Sequence, residues 1–222
     1  MRRGSKVRLV AALLAASACS AQRGAVPPEL AAAGDKGDAI VVRAALERLI
    51  EEGRDTPEDR QYAYEAVQDA PNDTAAAAFA RAAVTGRYIQ SKGLRAAGII
   101  SDVEEDARKS RDLDPGFEEG AATRMLGTLY VTAPATLLKH GNSEDGIELL
   151  ETLTDERPDV LENHLRLAEG YITLGDPDPA CPHLRLCVQK KEELIADDQR
   201  LLDQLLLAAG PLSCDVAADA SD

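Results

Sequence analysis

The side chains with the greatest capacity for chemistry lie close together near the C-terminus. Cys181, His183 and Cys187 fall within seven residues, and His164 precedes them. Cysteine and histidine are the usual ligands of zinc, but this spacing matches no standard zinc pattern. His164 falls where one helix of a predicted pair contacts the other, so packing accounts for it better than catalysis. We therefore expect no metal at this cluster.

No other set of residues has the spacing of a known catalytic site. The sequence contains no glycine-rich loop that would hold a phosphate, and no serine, histidine and acid in a recognisable setting. The acidic runs at 102–106 and 197–198 are typical of solvated helix faces. We expect a protein that is not an enzyme and needs no cofactor. A hydrolase or a metal-binding protein is the enzyme-class alternative.

A second group of candidates lies in the stretch LGTLYVTAPATLLKHG, residues 126–141. Pro134 would remove a backbone hydrogen bond and clash with the preceding turn, so a helix over 118–132 should end at or just before Ala133. Residues 134–141 then leave the helix, and Gly141 allows the return into a helix over 143–156. The sequence thus predicts a loop inserted between two helices.

This loop carries hydrogen-bond donors on an otherwise acidic protein. Its Lys139 and His140 suit an acidic partner or a carboxylate ligand. Arg124 and Tyr130 precede the loop by about two turns and one turn of the same helix. We hypothesise that the loop and this helix form a recognition surface, made of Arg124, Tyr130, Pro134, Lys139 and His140. The alternative is a surface insertion without a role.

Helices must position these residues. From residue 38 to residue 209 the chain is rich in alanine, with apolar residues at three- and four-residue spacings and no alternating run that would predict a strand. One spacing recurs four times: a mostly small or apolar residue, then others 4, 7 and 12 positions later. The sets begin at Asp59, Val103, Gly146 and Ala180, and the first three end in proline. Asp59 fits its position poorly.

This recurrence resembles the tetratricopeptide repeat, in which a proline closes the second helix of each pair. Residues 126–130, LGTLY, match the element of the first helix, and residues 167–171, LAEGY, repeat it with Ala for Gly. The small residue allows the paired helices to approach closely, and the tyrosine fills the groove between them. The resemblance implies an all-α, tetratricopeptide-repeat-like α-solenoid of about four helical hairpins over 38–209, with 197–209 as a C-terminal capping helix. An irregular helical bundle is the alternative.

The charge of the chain argues against nucleic acid as a partner. The formal net charge is −14, with no Trp and two Phe. Such a surface repels phosphate backbones and offers little for bases to stack on.

The N-terminus has the pattern of an export signal. Residues 1–8 are basic, residues 9–18 are apolar and too few to span a bilayer, and small residues precede Cys19. This resembles the lipobox of bacterial lipoproteins, which implies that Cys19 is lipidated after removal of residues 1–18. Ser20 after the cysteine favours the outer membrane. An ordinary secretory signal cut after Ala18 is the alternative. Residues 19–37 are then predicted to be a flexible tether, and residues 210–222 a loose tail.

An exported protein meets an oxidising compartment, so its remaining cysteines favour a disulfide. Helices over 180–192 and 197–209 should be antiparallel, with their turn near residue 194. Residue 181 then lies opposite roughly residue 208, near the segment that carries Cys214. We predict a Cys181–Cys214 disulfide, with Cys187 buried as a small apolar residue.

The central repeat resembles a particular family. Gly120, Arg124, Leu126-Gly127, Tyr130, Ala133-Pro134 and Gly141, followed by a helix that ends at Pro158, are similar to the TatT family of tetratricopeptide-repeat lipoproteins associated with TRAP transporters. The match covers residues 110–192 and is consistent with 38–110. It departs at residues 136–140, where an aromatic, proline-containing stretch is expected.

The resemblance implies a periplasm-facing, lipid-anchored adaptor that docks the soluble solute-binding protein of a TRAP transporter and binds a small ligand in a channel through the repeats. A homo-oligomer is left open. The alternative is a generic tetratricopeptide-repeat lipoprotein that scaffolds envelope or outer-membrane assembly.

Overall fold

The computed structural model describes residues 25–209, apart from the Leu94 side chain. Within that part every regular element is helical, which confirms the all-α prediction there. The α-helices are α1 (Pro28–Gly34), α2 (Ala39–Glu51), α3 (Pro57–Val67), α4 (Ala75–Lys92), α5 (Ile100–Leu113), α6 (Ala121–Thr132), α7 (Ser143–Glu156), α8 (Leu161–Thr173), α9 (Ala180–Gln189) and α10 (Ala196–Ala209). Short 3-10 helices span Gly93–Ile99, Phe117–Gly120, Ala135–Leu137 and Lys191–Glu193.

The helices pack mainly against their neighbours in sequence. α4 contacts α5, α6 contacts α7 and α8 contacts α9, and these pairs are joined by contacts of α5 with α6 and of α7 with α8. The three largest apolar clusters among the described residues follow this order: one from α1 to α4, one from α4 to α7 and one from α8 to α10, and a smaller one joins α6, α7 and α8. The core is therefore distributed along the chain.

The recurring spacing marks residues that the structure buries. Its second position is occupied by Ala63, Ala107, Leu150 and Leu184, and each of these is 0% exposed. The first position is buried as well, including Asp59. Asp59 is polar because it closes the capping box of α3: its backbone N–H donates to Thr56 Oγ1, and its carboxylate accepts from the Thr56 backbone. Asp59 thus occupies a buried position of the recurring spacing and also takes part in capping the N-terminus of α3.

Part of the predicted tether is folded. Residues 28–34 form α1, and Leu30 is fully buried in the cluster it shares with α2, α3 and α4. Pro28 suits the first position of a helix, where no backbone donor is needed, and Leu30 and Ala33 face the core from the same side. The folded domain therefore begins before residue 38. The predicted signal peptide, residues 1–18, and the predicted tail, residues 210–222, lie outside the described residues.

Helices α6 and α7 approach each other at two glycines. A Cβ added to Gly127 would lie 2.6 Å from Leu150 Cγ and 3.0 Å from the Gly146 carbonyl oxygen. A Cβ added to Gly146 would lie 2.8 Å from the Gly127 carbonyl oxygen. The backbones are in direct contact here, as the Leu-Gly-x-x-Tyr element predicts. The first turn of the predicted helix 118–132 differs, because Glu118 and Glu119 adopt left-handed φ angles before α6 begins at Ala121.

Helix α10 covers the end of the helical array and also returns to its beginning. Leu202 is fully buried, and α10 packs on α8 and α9, as expected for a capping helix. It also contacts α2, and Asp197 pairs with Arg87 of α4 at 2.9 Å. The array is therefore curved enough for its last helix to meet its first ones.

Substitution of Gly127 tests the contact between α6 and α7. Gly127→Ala should lower the free energy of unfolding by about 1–3 kcal/mol, because its methyl group must displace Leu150 or the α7 backbone. Gly86, inside α4, has nothing within 4 Å of an added Cβ. Gly86→Ala should therefore raise the free energy of unfolding by about 0.5–1 kcal/mol through helix propensity alone. Urea denaturation of both variants measures the difference, and equal effects would contradict the close contact.

Candidate functional site

The predicted loop is present where Pro134 places it. α6 ends at Thr132, and Ala133 is extended with ψ 146° before the proline. A 3-10 turn over Ala135–Leu137 follows, and Asn142 caps α7 through a capping box with Asp145. The predictions that the first helix ends before Ala133 and that the next spans 143–156 are both confirmed.

A buried carboxylate holds this loop against α5. Glu104 is 0% exposed and accepts the backbone N–H of Lys139 at 2.7 Å and that of His140 at 2.8 Å. The Lys139 ammonium adds an exposed ion pair with Glu105. A carboxylate inside a protein is costly unless it is hydrogen-bonded, so Glu104 and the loop depend on each other. The prediction of a solvated face over 102–106 is wrong here and at Asp106, and that over 197–198 is wrong at Asp198, because all three carboxylates are buried.

Tyr130 lies beneath the loop. It is 3% exposed, and a Cβ added to Gly141 would overlap its ring. Its hydroxyl makes no hydrogen bond of good geometry among the described residues, but the Arg108 and Glu104 side chains lie close enough to interact with it weakly. Burial raises the pKa of Tyr130 above its ordinary value, so the hydroxyl stays protonated. The floor of the loop region therefore holds a buried hydroxyl without a well-formed hydrogen bond among the described residues.

A groove of about 510 Å³ opens between α5 and α7, with α6 at its floor. We call it the α5–α7 groove. Its lining residues include the predicted Tyr130 and His140, together with Arg108, Arg111, Thr123, Glu148, Leu149, Leu153, Glu156 and Arg157. The structure thus brings two of the five predicted recognition residues into one cavity. Lys139 lies beside them on the exposed loop, and exposed Pro134 starts it.

Arg124 lies in different surroundings. Its Nη1 donates to Asn163 Oδ1 at 2.8 Å, and Asn163 of α8 is fully buried. Burial lowers the pKa of Arg124, and its charged neighbours are Glu162, Arg166, Asp198 and Glu118. None of these contacts is shared with Tyr130 or with the loop. Arg124 therefore belongs to a polar network between α6, α8 and α10, in which Arg166 pairs with buried Asp198 at 2.7 Å.

The sequence analysis missed the basic residues of the groove. Glu104, Arg108 and Arg111 follow one another at intervals of four and three, so they share one face of α5. The spacing alone predicts that these three side chains share one face of a helix. It does not predict that this face is turned toward α7 and the loop.

His164 contacts His183, a pairing that the spacing did not predict. Their Nδ1 atoms are 2.8 Å apart, and His164 Nε2 lies 2.8 Å from the Pro158 carbonyl oxygen. A carbonyl only accepts, so His164 donates through Nε2 and accepts through Nδ1 from His183. Burial, followed by repulsion from His164, lowers the pKa of His183. The pair joins α8 to α9.

Cys181 is disulfide-bonded, and Cys187 is a free thiol that is fully buried. Burial raises the pKa of Cys187 to about 12. The predicted partner of Cys181, Cys214, and the predicted lipidation site, Cys19, both lie outside the described residues. The pairing with Cys214 and the lipidation therefore stay predictions.

Comparisons with known proteins assign no family. No protein-family model matches the chain, and no curated protein matches it. Between residues 25 and 209 no helix has both the length and the apolar composition that a membrane crossing requires. The same residues contain no group of three or more His, Cys, Asp or Glu placed to share a metal ion.

The histidine pair predicts a pH dependence of stability. Because the folded-state pKa of His183 is lowered, the unfolded chain binds the proton first as pH falls below about 6.5, and folding stability decreases there. His183→Gln keeps a donor for His164 but removes this titration. Between about pH 7.5 and pH 5.5 the melting temperature of the wild type should fall more than that of the variant. Equal decreases would show that the pair does not titrate in this range.

Proposed function

We propose that this chain is a lipid-anchored adaptor of the TatT type, with a tetratricopeptide-repeat-like arrangement, that docks the solute-binding protein of a TRAP transporter on the bacterial envelope. The loop over 134–141 is the docking surface. The lipidated Cys19 keeps the adaptor on the outer membrane, facing the periplasm.

The observation that carries this proposal is the buried carboxylate of Glu104. A surface insertion without a role needs no fixed conformation, and loops of that kind run over the surface with their backbone solvated. Here a fully buried acid is used to bind two consecutive backbone N–H groups of the loop. The loop therefore presents its side chains in one defined arrangement, which is what a docking surface requires.

The exposed side chains of the loop fit an acidic partner surface. Lys139 and His140 are both exposed, on a chain whose net charge is −14. Exposed hydrogen-bond donors at one place on an acidic protein favour one orientation for an acidic partner, although Lys139 also pairs with Glu105. The proposed repeat arrangement accounts for the position of this loop, since insertions within one repeat project from one face of the array.

Crosslinking from the loop tests the docking surface. A photoreactive amino acid at exposed Thr136 of the full-length lipoprotein, activated in the native envelope, should capture a TRAP solute-binding protein. The same probe at exposed Glu51 of α2 is the matched control and should capture none. Capture of outer-membrane assembly factors at Thr136 would contradict the proposal and favour the scaffold.

Replacement of residues 135–137, 139 and 140 by Gly and Ser separates docking from folding, with Leu138 kept because it packs on the apolar cluster of α4 to α7. Glu104 binds only backbone groups of the loop, and the exposed Lys139–Glu105 pair contributes little, at most about 1 kcal/mol. The helical circular dichroism and the melting temperature should therefore stay nearly unchanged while capture is lost. Undiminished capture by this variant would mean that the loop is only an insertion.

Substitution of Cys19 tests the proposed anchor. Cys19→Ser removes the thiol that would be acylated, so the protein should move from the membrane fraction to the soluble fraction as an unprocessed precursor. Immunoblotting of the two fractions measures this change. Retention of the variant on the membrane would show that something other than a lipid on Cys19 holds it.

A further inference from the structure

The α5–α7 groove has one basic wall. Arg108 and Arg111 of α5 line it. Arg157, just after α7, lies at one end of the groove beside Gly116: a Cβ added to that glycine would be 3.6 Å from Arg157 Nη2. Within residues 25–209 none of these three guanidinium groups has a carboxylate within 4.0 Å, although seven other arginines do. Their hydrogen-bond donors are available to a ligand.

The opposite wall is acidic. Asp145, Glu148 and Glu156 line it from α7, and Asp145 is already occupied by the Asn142 cap. Glu148 and Glu156 have no ion pair among the described residues. Oppositely charged side chains thus face one another across the groove without pairing directly, which leaves room for a molecule that carries both charges.

The floor supplies a further polar group and apolar surface. The Tyr130 hydroxyl has no well-formed hydrogen bond among the described residues and 97% of the residue is removed from solvent, at a depth where losing a hydrogen bond is costly. Leu149 and Leu153 line the groove beside it. The volume of about 510 Å³ lies within the range of small-molecule sites.

We propose that the α5–α7 groove binds a small amphiphilic zwitterion, an α-amino acid with an apolar side chain. Its carboxylate accepts hydrogen bonds from Arg108, Arg111 and the Tyr130 hydroxyl. Its ammonium lies against Glu148, and its side chain packs on Leu149 and Leu153. Planar guanidinium groups match a carboxylate in two parallel hydrogen bonds, which favours this group over a spherical anion.

This inference goes beyond the proposed docking function, because it concerns a separate ligand and needs no partner protein. Calorimetric titration of the full-length protein in detergent micelles can use three matched probes. They are L-leucine, 4-methylpentanoate, which lacks the ammonium, and isopentylamine, which lacks the carboxylate. L-leucine should bind saturably, and each analogue should bind at least about fivefold more weakly.

Single substitutions test which wall of the groove binds the carboxylate of the ligand and which binds its ammonium. Arg108→Gln should weaken L-leucine and 4-methylpentanoate alike, whereas Glu148→Gln should weaken L-leucine and leave 4-methylpentanoate unchanged. Tyr130→Phe should weaken L-leucine by about tenfold while leaving the melting temperature nearly unchanged, since the hydroxyl makes no well-formed internal hydrogen bond. Arg48→Gln, at an exposed and unpaired arginine of α2, is the control and should change nothing.

Three results would overturn the proposal. One is the absence of saturable L-leucine binding up to about 10 mM. Another is equal binding of L-leucine and 4-methylpentanoate, because the acidic wall would then have no role. The third is a lowered melting temperature of Tyr130→Phe with unchanged binding, which would make the hydroxyl structural. None of these results bears on crosslinking from Thr136, so a failed ligand proposal leaves the docking proposal to be judged separately.

Discussion

The direct backbone contact of α6 with α7 at Gly127 and Gly146 is the constraint on which the candidate site depends. Side chains at these positions would force the helices apart. Because the helices touch, Tyr130, less than one turn after Gly127, is pressed between α7 and Gly141. Tyr130 therefore lines the floor of the α5–α7 groove. The positions of the groove and of the loop above it therefore depend on glycine, which has no side chain, at residues 127 and 146.

Buried carboxylates determine how distant segments are aligned. Glu104 binds the loop 35 residues later, Asp106 binds Asn72 and Arg81, and Asp198 binds Arg166 of α8. Each of these acids must find its partner or remain a costly unpaired charge, so each contributes to the choice of one packing arrangement over others. A strongly acidic chain thus uses part of its charge internally.

The arrangement separates two polar regions that the sequence placed on one helix. Arg124 faces α8 and α10, in a network with Asn163 and near Asp198. Tyr130 faces α5, α7 and the loop. Six residues along a helix correspond to about 240° of rotation, so the two side chains point to different sides of α6. The proposed docking loop and the proposed ligand groove therefore lie on one side of α6, whereas Arg124 serves the packing of the curved array.

The sequence by itself determined the helical class, the C-terminal end of α6, both ends of α7, and the burial of the first two positions of the recurring spacing. These follow from local rules: proline ends a helix, a capping residue starts one, and apolar periodicity marks the face that packs. Only the tertiary structure decided that residues 28–34 join the core, that Glu104 is internal and that His164 meets His183. Each of these depends on which segments, far apart in the chain, come into contact, and a local pattern carries no information about that choice.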